Sequence, residues 1–229
     1  MGTSSARRGP TTVLWRAAKG AATRYLSPEG GGVLDARELT ARYLAALEET
    51  PGEGDRLAMF RFTRKVGQEL GAFWSEINFR GWEEVLQERG LRPLTLGDPA
   101  VLAQGLSGVL GGSGGGLEEA VVRTSLAQVL LRAVQSETRA APANLVRQFL
   151  AMALTLRLTL DLGESLEAAA GGYGRLRERL NCLKELIEAN ILGADSHAAT
   201  PVTPEHWQGL TGWTWITETM AALMSKLGQ

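Results

Sequence analysis

Leu154-Thr155-Leu156-Arg157-Leu158-Thr159-Leu160-Asp161-Leu162 is the stretch whose reading decides the fold class of this chain. Leucine alternates with a polar residue at every step, which is the period-two signature of a strand with one buried face. The surroundings argue for a helix. Asn144 to Met152, just upstream, follows a helical pattern, and Pro142 stands where that helix opens; proline suits the first helical position because its missing N–H is not needed there. No partner strand is evident elsewhere in the chain, and a lone strand leaves its backbone groups unpaired. The stretch is therefore read as the second half of a helix, and the chain as all-α.

The segments on either side fit that reading. Leu117 to Thr138 is the strongest core helix by pattern. Leu117, Ala120, Val121, Thr124, Ala127, Leu131 and Val134 form one apolar stripe, and Val122, Leu126, Val129 and Ala133 form another opposite. A helix apolar nearly all round is expected to be central. Before it runs Gly111-Gly112-Ser113-Gly114-Gly115-Gly116, a linker by composition. The run lacks the Lys-Ser/Thr of a phosphate loop and follows no strand, so it does not read as a nucleotide site. Ala100 to Leu110 is a helix with Asp98 as N-cap and Pro99 at its first position. Gly81 to Arg89 is a short helix.

Asp55 to Asn78 reads as a long helix, basic at Arg61, Arg64 and Lys65 and aromatic at Phe60, Phe62, Phe73 and Trp74. Gly67 and Gly71 lie four apart on it. They either permit close packing or weaken the helix, and the cost of about 1 kcal/mol per exposed helical Gly favours packing. Asp35 is expected to cap a helix reaching Glu49, and Thr11 to Leu26 is amphipathic. On the C-terminal side, Arg175 to Leu192 carries the stripe Leu176, Leu180, Leu183, Ile187 and Ile191. A last helix starts at Thr203-Pro204-Glu205, with Trp213, Ile216, Met220, Leu223, Met224 and Leu227 inward. The expectation is a single multi-helix domain over residues 11–229, of about eight or nine helices, with 111–116 as the place where it would divide.

Composition narrows the function classes. Hydrophobic residues make up 44% and charged residues 21% of the 229, an ordinary globular balance. The net charge of −1 gives no global pull toward nucleic acid or anionic membrane. A single Cys cannot form an internal disulfide and fits a reducing compartment. Arg16 and Lys19 interrupt the N-terminal apolar segment, so no signal peptide is expected, and Phe149 to Leu162 is too short to span a bilayer. The expected location is cytoplasmic.

Residues 1–10, Met-Gly-Thr-Ser-Ser-Ala-Arg-Arg-Gly-Pro, have nothing to bury, and are expected to form a flexible basic tail. Gly2 is small enough for Met1 to be removed. Its α-amine, with a pKa of about 7.7–8.0, would then be partly free base at neutral pH. Myristoylation wants Ser or Thr where the chain has Ala6.

Met1-Gly2-Thr3-Ser4 with Gly9-Pro10, and Ala22-Thr23-Arg24-Tyr25, resemble the QatB family of the bacterial Qat anti-phage defence systems. So does the block Ser75-Glu76-Ile77-Asn78-Phe79-Arg80-Gly81-Trp82-Glu83-Glu84-Val85-Leu86, followed by Gly90, Leu91 and Leu94. Leu117-Glu118-Glu119-Ala120 and the long helix it opens belong to the same resemblance, Leu158 to Gly163 is a looser echo, and the chain after Gly171 matches poorly. The resemblance implies a non-enzymatic helical protein whose partner is a QueC-like enzyme (the QatC-like component). That enzyme would attach a 7-deazaguanine to the N-terminal glycine. It implies a wider system with an ATPase and a TatD-like nuclease. In this chain Gly2 would be the acceptor, Thr3 and Ser4 would lie beside it in the partner's active site, and Arg7 and Arg8 would hold the tail.

The residues themselves offer little catalysis. Cys182, Asp195, His197 and His206 match no zinc spacing, and the thiol has no obvious activating neighbour. Glu48-Glu49, Glu83-Glu84 and Glu118-Glu119 are sequence neighbours, which point in different directions on a helix. No enzyme activity, cofactor or metal is expected. Two other classes stay open: a nucleic-acid-binding or scaffolding module resting on Arg7, Arg8, Arg16, Lys19, Arg24, Arg61, Arg64 and Lys65, and a hydrolase using Cys182 and His206. Trp207 and Trp215 point away from the inner stripe of the last helix. They either pack under another helix or form an aromatic patch, and at least one is expected to contact a partner.

Overall fold

The computed structural model describes residues 12–27, 29–30, 32–48, 57–91, 98–112, 114–136, 139–193 and 197–228. Eleven α-helices appear among the described residues: α1 Val13–Leu26, α2 Val33–Glu48, α3 Arg61–Arg80, α4 Trp82–Glu88, α5 Pro99–Leu110, α6 Leu117–Gln135, α7 Pro142–Asp161, α8 Gly163–Ala170, α9 Tyr173–Leu192, α10 Pro204–Gln208 and α11 Leu210–Leu227. A 3-10 turn, Ala58–Phe60, leads into α3. The described residues contain no strand.

The alternating leucines belong to α7, and the helix sorts them. Leu154, Leu158 and Leu162 are four apart and fully buried. Leu156 is half-buried, and Leu160 is 53% exposed. A period of two thus contains a period of four, which is one face of a helix. Upstream, Phe149 to Thr155 are buried without interruption, so this part of α7 is covered on all sides. It packs against α3, α6 and α9.

The centre of the fold is therefore α7, which corrects the expectation for Leu117 to Thr138. In α6 the buried residues are Val121, Val122, Ser125, Leu126, Val129 and Leu130. Ala120 and Thr124 are exposed, and Leu131 and Val134 are half-buried. Only one broad face of α6 is inside, covered by α5 and α7. The glycine run does not divide the chain into two cores. Leu102 and Leu106 of α5 share one apolar cluster with Leu126 and Val129 of α6 and with α7. Arg123 Nη1 donates to the Gly112 and Gly114 carbonyls, tying the run to α6.

The Ser75 to Leu86 block forms the corner between α3 and α4. Gly81 takes φ +86°, a conformation that glycine adopts without steric cost. Trp82 then folds back, edge-on to Trp74 with ring centroids 5.4 Å apart. Trp74 Nε1 and Asn78 Nδ2 both donate to the Ala140 carbonyl. Arg89 forms paired hydrogen bonds with Glu76 and lies over the Phe73 ring. The block's chemistry is that of a packed corner.

Three local expectations shift. Asp35 is the third residue of α2; it accepts from Gly32 N across the helix start, so α2 begins three residues earlier than a cap at Asp35 implies. The last helix is two pieces: Thr203 caps α10 by accepting from His206 N, and Gly209, in an extended conformation, starts α11. Gln68 Nε2 donates to the Gly209 carbonyl at that break. The sequence reading also assigned no helix to α8, which buries Leu166 and Ala170 and packs on α1.

Candidate functional site

The residues singled out in the N-terminal tail, Gly2, Thr3, Ser4, Arg7 and Arg8, lie outside the described residues. What the structure describes is their attachment. Thr12 Oγ1 accepts from Trp15 N and closes the start of α1. Trp15, Ala18, Ala21, Ala22, Tyr25 and Leu26 are buried, against α2, α8 and α9. The Tyr25 hydroxyl donates to the Arg179 carbonyl on α9 at 2.7 Å, and Arg24 pairs with Glu38 of α2. Burial pushes the Tyr25 phenol up to about 12, helped by the nearby Cys182 and opposed by Arg179. Arg16 is exposed on the outer side. The first helix is a firm base at Thr12.

Trp207 and Trp215 are both buried, rather than forming an exposed aromatic patch. Their rings stand edge-to-face, 5.3 Å apart, one from each side of the Gly209 break. The α3 backbone at Gly71 lies directly on the Trp207 ring, and Arg147 stacks over Trp215. The break lets two indoles that would diverge on one straight helix enter the same core. This is the packing alternative, and it also gives Gly71 the packing role expected of it.

The catalytic candidates do not converge. Cys182 is exposed on α9. His206 is exposed on α10, which packs on α3 and α11. His197 is exposed in a bend, and Asp195 lies outside the described residues. Among the described residues no group of three or more His, Cys, Asp or Glu could hold a metal. Glu205, next to His206, sits below the usual carboxylate range because its own backbone N–H and the Thr203 hydroxyl bond to it.

The basic residues separate into two kinds. Arg64 is buried, and its guanidinium donates to Thr217 Oγ1 and the Leu57 carbonyl while stacking on Trp213, 4.8 Å from the ring centre. That cation is committed to the fold. Arg61 and Lys65, on the same helix, are exposed. With Ala58, Phe62, Glu118 and Trp213 they line an open cavity of about 500 Å³. Sequence reasoning found the three cations but not this cavity, because Trp213 and Glu118 come from distant helices. The one signal in sequence was a pair of cations spaced four apart around Phe62.

No family model, curated protein or solved structure matches this chain. No helix among the described residues is long and apolar enough to cross a membrane.

Proposed function

We propose that this chain is a cytoplasmic, non-enzymatic component of a QatB-like anti-phage defence complex. Its Gly2 α-amine, freed by loss of Met1, is the acceptor for a 7-deazaguanine made by a QueC-like partner. An ATPase and a TatD-like nuclease complete the assembly.

The observation that carries this reading is the resemblance at Met1 to Ser4, in order with Ala22 to Tyr25 and Ser75 to Leu86. The anchoring of α1 supports it: the helix is held by Trp15, Tyr25 and Leu26 and closed at Thr12. Nine residues separate Gly2 from Thr12, a chain length that reaches roughly 30 Å when extended. That is long enough for Gly2 to enter a partner's cleft while α1 stays seated. An amide formed there removes the α-amine charge and adds a flat, hydrogen-bonding base. Thr3 and Ser4 would line the approach, and Arg7 and Arg8 would hold the tail to the partner's surface.

Co-expression with a QueC-like partner, followed by mass spectrometry of the N-terminal peptide, tests this directly. The expected peptide lacks Met1 and carries a deazaguanine-sized addition. Gly2→Val is expected to leave the fold intact while abolishing both the addition and phage protection. An unmodified peptide, in cells where the partner is active and defence works, would leave a scaffolding role.

A further inference from the structure

We infer that the cavity between the start of α3, the start of α6 and α11 binds a nucleobase carrying a phosphate. Phe62 and Trp213 both line one opening of about 500 Å³, large enough for a nucleotide-sized ligand. A base stacked on an aromatic side chain gains about 1–3 kcal/mol without regard to its identity. Arg64 already stacks on the Trp213 ring, 4.8 Å from its centre, and is itself held by Thr217 and the Leu57 carbonyl. The indole is thus fixed in place before any ligand arrives, which lowers the ordering cost of binding.

Charge selects the other half of the ligand. Arg61 is exposed and makes no ion pair or side-chain hydrogen bond among the described residues, and Lys65 faces Glu69 only loosely, at 3.8 Å. A guanidinium and an ammonium one helical turn apart at a cavity rim suit a phosphate. Glu118 sets the polarity of the interior. Its Oε1 accepts from Thr63 N and Thr63 Oγ1, at 3.0 and 3.2 Å. Glu118 lines the same opening, and a carboxylate has further lone pairs with which to accept from the N–H edge of a base. An aromatic wall, a donor pair for phosphate and a single acceptor for a base edge form one constellation. A free mononucleotide and the end of a single strand share that chemistry.

Isothermal titration of the full chain with AMP, GMP, inorganic phosphate and a 5′-phosphorylated tetranucleotide tests the inference. Binding of AMP or GMP assigns the site to free nucleotides, and binding of the tetranucleotide alone assigns it to a strand end. Arg61→Glu is expected to weaken either roughly tenfold or more, the equivalent of one charged contact. Arg61 is exposed and has no ion pair or side-chain hydrogen bond among the described residues, so the variant is expected to melt like the parent, and a thermal melt run beside the titration checks that it is folded. Phe62→Leu, which keeps an apolar side chain without the ring face, is expected to weaken nucleotide but not phosphate binding. Three results would each overturn the inference: no binding of any nucleotide at millimolar concentration, phosphate binding as tightly as AMP and GMP, or affinity unchanged in Arg61→Glu.

Discussion

A methyl group added to Gly71 would lie 2.3 Å from Cε3 of Trp207 and 2.4 Å from its Cδ2. The α3 backbone is itself the surface on which that indole rests. Gly67, one turn earlier, is different: its nearest neighbours, on Phe149, Ile216 and Leu150, stand at 3.6–3.7 Å. Gly71→Ala is expected to destabilise the fold by about 1–3 kcal/mol through overpacking. Gly67→Ala should be neutral or gain up to about 1 kcal/mol from helix propensity. Urea midpoints of the two variants check this, and equal midpoints would mean that Trp207 does not lie on α3.

The buried indoles carry a second expectation. Trp207→Ala and Trp215→Ala should each cost about 3–5 kcal/mol, as large core truncations do. Any loss of complex formation should then follow loss of folded protein. A Trp215→Ala variant that melts like the parent but no longer binds a partner would restore the interface reading.

Tyr43, Asp161 and Arg157 form a shared-acceptor network across α2 and α7. The Tyr43 hydroxyl and Arg157 Nε both donate to Asp161 Oδ2, at 2.8 and 2.9 Å. Burial, the largest single influence, works against the Arg157 charge, but Asp161, Tyr43 and Glu118 together outweigh it and raise the guanidinium pKa. Tyr43→Phe removes one donor and should cost about 1 kcal/mol. Asp161→Ala strands both donors and should cost about 3–5 kcal/mol, as when one partner of a buried pair is removed. A double-mutant cycle between them should show coupling; strictly additive losses would refute the network.

Alkaline pH should destabilise the protein through its buried phenols. The Tyr25 phenol titrates near 12 when folded, against about 10 when unfolded. Tyr43 is raised as well, chiefly by burial and then by the Asp161 charge. Below pH about 10 the protonated phenol contributes its full stabilisation; as pH climbs toward the folded value, the unfolded chain loses its proton first and that stabilisation fades. Urea midpoints are expected to fall above pH about 10, and Tyr25→Phe should flatten part of the fall. A midpoint unchanged across that range would show the phenols to be solvated.

Much of this architecture could be read before any coordinates. Pro99 behind Asp98, Pro142 and Thr203-Pro204 all open helices where backbone chemistry says they should. What could not be read was tertiary. Val121 and Leu131 look alike in sequence, yet one is buried and the other half-covered, because α5 and α7 meet only one side of α6. Gly209 looks like a tolerable helical glycine, yet the helix breaks there, and Trp207 and Trp215 meet in one core across the break. Arg61 and Arg64 are three apart on one helix. Only the position of Trp213 tells that Arg64 is the one committed to the core.

The hydrogen bond from Tyr25 to the Arg179 carbonyl spans 154 residues of sequence. Half of the seat for α1 is supplied by α8 and α9, which leave the ribosome long after it. At synthesis rates of about 5–20 residues per second, on the order of ten seconds or more separate the appearance of α1 from that of its last neighbour. During that interval the first helix has α2 beside it but no roof. For that interval the buried face of residues 13–26 is only partly covered, and its burial is completed by translation of the C-terminal half of the chain.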